Sequence, residues 1–161
     1  MLKKILIGLA ILIAIPLIGA LFVKKDFSIT REVTIAKPTA EVFSYIKSVK
    51  NQDNFSKWNK LDPNMQKTYT GEDGTVGFVY AWKSDNKDVG AGEQEIKKIT
   101  EGSRMDMELR FKEPFESQAA CFMSTTPVDS VTTKVAWGFE GNTPYPLNFM
   151  CLLMDMDKLI G

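Results

Sequence analysis

The feature that most constrains this chain is an uncharged apolar run near its start, from Ile5 to Val23. As an α-helix, a run of this length spans about 28 Å, which is close to the thickness of the hydrocarbon core of a bilayer. Pro16 interrupts the run, and proline is tolerated in helices that cross a membrane. We therefore predict a membrane anchor over residues 1–25, with residues 5–23 in contact with lipid.

A cleaved secretory signal is the alternative interpretation of the same run. Lys3 and Lys4 form a basic region before it, and Ile18-Gly19-Ala20 resembles a cleavage site of small residues. The apolar run is longer than that of a typical signal. Basic residues flank both of its ends, so the positive-inside rule does not fix the side of the membrane. The sequence thus predicts a single-pass membrane protein or, after cleavage, a secreted or periplasmic one.

Charge balance and the lack of histidine argue against several classes of function. Lysine and arginine together number 20, as do aspartate and glutamate, so no basic surplus exists to bind a nucleic acid backbone. The absence of histidine removes the usual general base and the commonest metal ligand. Cys121 and Cys151 lack the spacing of a zinc site. We predict no nucleic-acid partner, no metal and no cofactor.

Residues 26–161 are predicted to form one α+β domain. The segment Phe27 to Ala36 alternates as a half-buried strand, with Ile29, Val33 and Ile35 on one face. Thr39 is the predicted N-cap of a following helix. That helix carries the apolar residues Val42, Phe43 and Ile46.

After Pro63 the chain reads as an antiparallel meander that ends in a helix. Turn residues separate six predicted strands: Met65 to Thr70, Gly77 to Ser84, Gly90 to Thr100, Arg104 to Phe111, Ser117 to Thr125 and Val131 to Phe139. In the last of these, Val131, Val135, Trp137 and Phe139 are predicted to share a face. From Leu147 onward the apolar residues recur at helical spacing, which predicts a C-terminal helix.

Several local sequences in this order resemble the polyketide cyclase/dehydrase-like branch of the SRPBCC superfamily, which includes START domains and birch-pollen-allergen-like proteins. The resemblance rests on ITREVTIAKPTAEVFSYI, on Trp58 to Pro63, on LRFKEPFES, on TKVAWGFEG and on the terminal MDMDKLIG. It implies a helix-grip fold, in which a curved antiparallel sheet wraps around a C-terminal helix. Similar proteins continue that helix further, so we expect a truncated C-terminal helix here.

The resemblance also implies a cavity between the sheet and the C-terminal helix that holds a hydrophobic small molecule or lipid. Nine aromatic, aliphatic and thioether side chains are predicted to line it. They are Phe78, Tyr80, Trp82, Met107, Leu109, Phe111, Trp137, Met150 and Met154. The alternative is that these side chains only fill the core.

Catalytic residues are not specified by the sequence, and the weak candidates are Glu93, Glu95 and Tyr80. If Glu93 and Glu95 faced the cavity, one of the pair would have a raised pKa and act in acid–base chemistry. The alternative is an exposed acidic face. Arg31 shares the parity of Ile29 and Val33, and either a buried ion pair or an edge position explains it.

Three functions follow, in order of preference. The first is a membrane-tethered, noncatalytic domain that binds a hydrophobic small molecule or lipid. The second is an enzyme of the cyclase or dehydratase type that uses the same cavity. The third is a protein-interaction module whose groove holds a helix of a partner.

Overall fold

The structure, a computed structural model, describes residues 2–153 and 156–160. It begins with an apolar helix, α1 (Leu2–Ala20), which contains Pro16. The helix ends three residues before the predicted run does, and a turn follows in which the amides of Leu21 and Phe22 bond to the carbonyls of Ile18 and Gly19. This is the apolar N-terminal helix that the sequence predicts.

Seven strands form one sheet with antiparallel pairing between neighbours from β2 to β6. The strands are β1 (Asp26–Ile35), β2 (Gln66–Thr70), β3 (Val79–Lys83), β4 (Ala91–Thr100), β5 (Arg104–Glu113), β6 (Ser117–Asp129) and β7 (Thr132–Asn142). Their order across the sheet is β1-β7-β6-β5-β4-β3-β2. Each hairpin joins strands adjacent in sequence, so the predicted meander and the α+β class are confirmed.

Short helices fill the connection between β1 and β2. They are α2 (Thr39–Lys47), a 3₁₀ turn (Val49–Asn51), α3 (Gln52–Phe55) and α4 (Lys57–Leu61). The Asp73 carboxylate accepts hydrogen bonds from the Ser48 hydroxyl at 2.5 Å and the Val49 amide at 2.8 Å. This carboxylate, in the loop after β2, fixes the chain where α2 ends.

The two faces of the sheet differ in chemistry, and we call them the inner and outer faces. Residues directly opposite one another in an antiparallel pair share a face, so the register places Tyr80, Gln94, Leu109 and Ala119 together. Helix α2 contacts β6, whose buried residues all have the parity of Ala119. The face that carries these residues and α2 is the inner face, and the outer face carries Glu93, Glu95, Glu108 and Arg110.

Three local predictions are wrong. Val33 is 56 % exposed because β1 is the outermost strand and has a neighbour on one side only. Thr39 lies inside α2 and does not cap it, because its hydroxyl bonds to that of Thr133 at 3.0 Å. Val131 is 61 % exposed because it lies in the turn before β7. Arg31 is exposed on β1, in agreement with the edge position.

The chain divides into two compact units, with boundaries between Ile29 and Thr30 and between Phe139 and Glu140. After the second boundary come a 3₁₀ turn (Leu147–Phe149), α5 (Met150–Leu153) and α6 (Met156–Ile160). The predicted C-terminal helix thus begins with a 3₁₀ turn, and residues 154 and 155 lie outside the described residues. The domain boundaries at residues 25 and 26 stay a prediction.

Candidate functional site

A ladder of aromatic rings runs along the inner face from β2 to β5. Tyr69 stacks on Tyr80 with ring centroids 5.5 Å apart, and Tyr80 lies 5.8 Å from Trp82. The Trp82 ring then meets Phe111 edge-on at 6.1 Å. Phe78 stacks on Tyr69 at the other end, also at 6.1 Å. Tyr69 and Tyr80 are direct cross-strand partners, which lie only about 5 Å apart on one face. Tyr80 and Trp82 are two positions apart on β3, whereas Trp82 and Phe111 meet across β4.

The predicted lining residues divide into a buried group and a partly exposed group. Phe78, Tyr80 and Met107 are at most 4 % exposed. The partly exposed side chains are Trp82, Leu109, Phe111 and Trp137. Met154 lies outside the described residues, and Met150 is described by its backbone alone. The inner face therefore brings Phe78, Tyr80, Trp82, Met107, Leu109 and Phe111 together, and their role as ligand contacts stays a prediction.

Gly92 provides the space in which Trp82 lies. Gly92 is directly opposite Trp82 on β3 and Phe111 on β5. A Cβ atom at this position would be 2.6 Å from the Trp82 ring and 2.8 Å from the Arg110 carbonyl oxygen. The absence of a side chain thus leaves room over β4 for the Trp82 indole, which meets Phe111 there.

Two polar side chains are buried on the inner face, one within the ladder and one beside it. Tyr80 is 4 % exposed and its hydroxyl lies 4.0 Å from the Met65 sulfur. Burial raises the pKa of Tyr80, and the nearby charge of Asp53 raises it further. Gln94 is 7 % exposed and lies directly opposite Tyr80, and its amide nitrogen donates to the Met107 sulfur.

Glu93 and Glu95 lie on the outer face, away from the ladder. Glu93 accepts from Arg110 and Lys112, each at 2.7 Å, and Glu95 accepts from Arg110 at 2.7 Å and Lys97 at 3.1 Å. Arg110 also donates to Glu108. The hydrogen bond from Lys112 is the main cause that lowers the pKa of Glu93, and that from Arg110 is the main cause for Glu95.

The conditional prediction of a cavity-facing carboxylate pair with a raised pKa is therefore wrong. Strand β4 presents Gly92, Gln94 and Ile96 to the inner face, so the two glutamates between them point the other way. Their cationic partners lower both pKa values, which keeps both carboxylates ionised at neutral pH. Tyr80 is the one of the three weak catalytic candidates that lies on the inner face.

Sequence reasoning missed two residues of this site, Tyr69 and Gln94. Tyr69 could have been assigned to the inner face from the predicted strand Met65 to Thr70, because it has the same parity as Met65, which is buried. Gln94 could have been assigned to the same face as Ile96, an apolar residue two positions further along β4 that is fully buried. Both strands are rich in glutamate, lysine or threonine. The difference in hydrophobicity between their two faces is therefore too small to show from the sequence which positions face inward.

The inner face also carries a cysteine, which belongs to no metal-binding cluster among the described residues. Cys121 is buried on the inner face, and burial raises its pKa to about 12. Within residues 2–153 and 156–160, no three Cys, Asp or Glu side chains come together as a metal site.

No protein-family profile matches this sequence, and no curated protein matches it either. Solved structures do resemble it. A truncated norcoclaurine synthase from Thalictrum flavum has 11 % identity and a TM-score of 0.61, over 83 % of this chain and 86 % of that one. The same synthase in complex with dopamine and hydroxybenzaldehyde has 11 % identity and a TM-score of 0.58, over 83 % and 80 % of the two chains.

A third similar structure is Ara h 8.0201, with 17 % identity and a TM-score of 0.53 over 83 % of this chain and 90 % of that one. At these identities the likeness concerns the fold. It confirms the predicted helix-grip fold, whereas membership of the superfamily and of its polyketide cyclase-like branch stays a prediction. The chain therefore has the helix-grip fold, as these solved structures do.

Proposed function

We propose that this protein is a membrane-tethered, noncatalytic domain that binds a hydrophobic small molecule or a lipid on the inner face of its sheet. The observation that carries the proposal is the aromatic ladder, which continues from buried rings to the partly exposed rings of Trp82 and Phe111. Partly exposed aromatic rings beside buried ones offer apolar area and flat surfaces to a ligand.

A fold with this architecture accommodates small aromatic compounds, which supports the proposal. The norcoclaurine synthase structure with dopamine and hydroxybenzaldehyde is one such case. Fold likeness alone assigns no ligand, so the chemistry has to come from the residues of this chain. Here those residues are a row of aromatic rings with a methionine-rich neighbourhood formed by Met65, Met105 and Met107. Thioethers adapt to ligands of irregular shape.

The electrostatics of the inner face support binding without catalysis. Burial raises the pKa of Tyr80 and of Cys121, so both groups stay protonated at neutral pH and neither serves as a base. Lys67, at the β2 edge, pairs with Asp53 at 2.7 Å. The cyclase or dehydratase alternative relied on Glu93 and Glu95, and those carboxylates lie on the outer face.

The N-terminal helix supports the tether. The segment Lys3–Ala20 has a mean hydropathy of 2.1, and 6 % of it is buried. A signal sequence would have the same composition, but the end of α1 also has specific contacts. Asn148 donates to the carbonyl oxygens of Ala20 at 2.7 Å and Val23 at 2.9 Å. Such contacts favour a helix that stays with the mature protein, because cleavage after Ala20 would remove one of the two acceptors of Asn148.

The test is to purify the full chain in lipid nanodiscs and to identify by mass spectrometry the apolar molecules that it retains. We compare the wild type with Trp82→Ala, which removes the ring that joins Phe111 to the rest of the ladder, and with Phe115→Ala as the control. Phe115 is 81 % exposed and lies in the turn between β5 and β6.

We expect the wild type and Phe115→Ala to retain the same apolar molecule, and Trp82→Ala to lose most of it. Retention of no molecule beyond those of empty nanodiscs, or equal retention by all three proteins, would contradict the proposal. A groove that instead captures a partner helix is the remaining alternative, and it predicts a bound peptide in the same measurement.

A further inference from the structure

Gln94 is the polar group that best identifies what the site recognises. A glutamine side chain has two N–H donors and a carbonyl acceptor, three to four hydrogen bonds in all. Gln94 is only 7 % exposed. Among the described residues, its one hydrogen bond runs from Nε2 to the Met107 sulfur, and a thioether is a weak acceptor.

The surroundings of Gln94 on the inner face are uncharged and, apart from the Tyr80 hydroxyl, apolar. Tyr80 and Leu109 lie directly opposite it on the two neighbouring strands. Along β4 itself, the next inner-face positions are Gly92 and Ile96, of which Gly92 has no side chain and Ile96 is 0 % exposed. Methionine or leucine would fill this position without burying an amide, so packing alone does not explain a glutamine here.

We propose that Gln94 donates to, or accepts from, a neutral polar group of the bound molecule. This proposal rests on the proposed function and specifies its ligand as a mainly apolar molecule with a carbonyl or hydroxyl group. The apolar part lies along the aromatic ladder, and the oxygen meets the free Nε2 hydrogen or the Oε1 atom of Gln94.

The expected ligand is uncharged at the position of Gln94. A charge in such apolar surroundings needs an opposite charge beside it. Tyr80 and Leu109 supply none. At the β2 edge, Lys67 and Asp53 pair with each other. The Lys50 ammonium lies over the Tyr69 ring, two strands away from Gln94. An amide instead suits a carbonyl or hydroxyl oxygen, because moving such a neutral group out of water costs less free energy than moving a charged group.

A matched pair of probes tests this recognition. 2-Acetylnaphthalene and 2-ethylnaphthalene have nearly the same shape and differ in one carbonyl oxygen. Their dissociation constants are measured by equilibrium dialysis with the full chain in nanodiscs, and empty nanodiscs correct for partition into lipid. The variants are Gln94→Met, which keeps the volume without the amide, and Gln118→Met as the control. Gln118 is an exposed glutamine opposite Arg110 on the outer face.

We expect the wild type and Gln118→Met to bind 2-acetylnaphthalene about fivefold more tightly than 2-ethylnaphthalene, as one net hydrogen bond provides. Gln94→Met should bind both probes equally, with an affinity for 2-ethylnaphthalene at least that of the wild type. Equal binding of the probes by the wild type, or an unchanged preference in Gln94→Met, would overturn the role of Gln94 and leave the proposed function standing. Binding of neither probe by the wild type would contradict the proposed function itself.

Discussion

Arg110 is the residue on which the charge distribution of the outer face depends. Three carboxylates, those of Glu93, Glu95 and Glu108, accept hydrogen bonds from its guanidinium group. These bonds raise the pKa of Arg110 and help to hold the pKa values of Glu93 and Glu95 below the ordinary 4.5. Without this cation, three like charges on adjacent strands would repel one another.

We therefore predict that Arg110→Met lowers the unfolding temperature at pH 7 and that the difference from the wild type shrinks as the pH falls. Because the pKa values of these carboxylates are lowered in the folded state, the carboxylates of the unfolded chain take up protons first as the pH falls. The stabilisation is present above pH 4.5, and it is lost as the pH falls through the folded-state pKa values. In the variant, much of that stabilisation is absent at every pH.

Thermal unfolding of the full chain in nanodiscs, followed by circular dichroism at several pH values between 7 and 2, measures this difference. The control is Lys134→Met, which removes one partner of an exposed ion pair with Glu32, 3.1 Å in length. Exposed pairs contribute little, so the control should stay close to the wild type. A difference between Arg110→Met and the wild type that is the same at all pH values would show that the lost packing, and not the charge, matters.

The neighbouring strands show which residue-scale features sequence can reveal. In β5, methionine, leucine and phenylalanine alternate with charged residues, so the face of Met105, Met107, Leu109 and Phe111 was predicted correctly. In β4 the inner-face positions hold glycine, glutamine and isoleucine, and the pattern has too little apolar contrast to fix the parity. The glutamates were therefore considered for the inner face, whereas Gln94 lies there.

At the scale of elements, the contact between the C-terminal 3₁₀ turn and the end of α1 has the clearest consequence. The last carbonyl groups of a helix have no partner within the helix. Asn148, which is 0 % exposed, donates to two carbonyl groups at this end, and the Phe149 ring packs against Gly19. The Oδ1 atom of Asn148 has no partner among the described residues. The buried amide therefore serves to cap the helix.

We predict that Asn148→Ala loosens the turn after α1 without unfolding the sheet. The amides of Leu21, Phe22 and Val23 bond to carbonyls of the last helical turn, and they should exchange with deuterium about tenfold faster once the cap is lost. Hydrogen–deuterium exchange of peptides over residues 20–25, in nanodiscs, measures this rate.

Asn64→Ala is the matched control, because Asn64 is exposed in the loop before β2. Its peptide over residues 20–25 should exchange as in the wild type. Unchanged exchange in Asn148→Ala would mean that the two hydrogen bonds do not hold the end of α1.

The elements themselves were largely predictable, whereas their contacts were not. Turn residues and local periodicity located all seven strands, because both signals lie within a few positions of the strand they define. Asn148 and Ala20 are 128 positions apart, and no local pattern relates them. The same applies to Thr39, whose hydroxyl meets that of Thr133 across 94 positions instead of capping its own helix.

At the scale of the whole molecule, an apolar helix and a row of contacting aromatic rings occur in one chain. A tether keeps the domain within reach of molecules that dissolve in the bilayer, which raises the effective concentration of such ligands. A carbonyl or hydroxyl group next to an apolar body, as Gln94 is proposed to recognise, is also common among molecules that partition into membranes. Tether and recognition are thus consistent with one another, although each is tested separately.

The tether itself is tested by placing a charge in α1. We predict that Leu12→Arg reduces the fraction of the chain in the membrane pellet after alkaline carbonate extraction, because an arginine near the middle of a membrane helix costs about 3 kcal/mol. Leu12 is 68 % exposed, so the substitution disturbs no packing that the structure describes. Phe22→Arg is the control: Phe22 is 86 % exposed and follows the end of the helix, where a long cationic side chain reaches the interface.

Wild type and Phe22→Arg should remain in the pellet at the mass of the full chain. A cleaved signal predicts a different result, namely a soluble wild-type protein that has lost the mass of the leader. In that case the carbonyl of Ala20 would leave with the leader if cleavage follows Ala20, and Asn148 would keep one of its two acceptors. The mass of the mature chain and its location therefore decide between anchor and signal in one experiment.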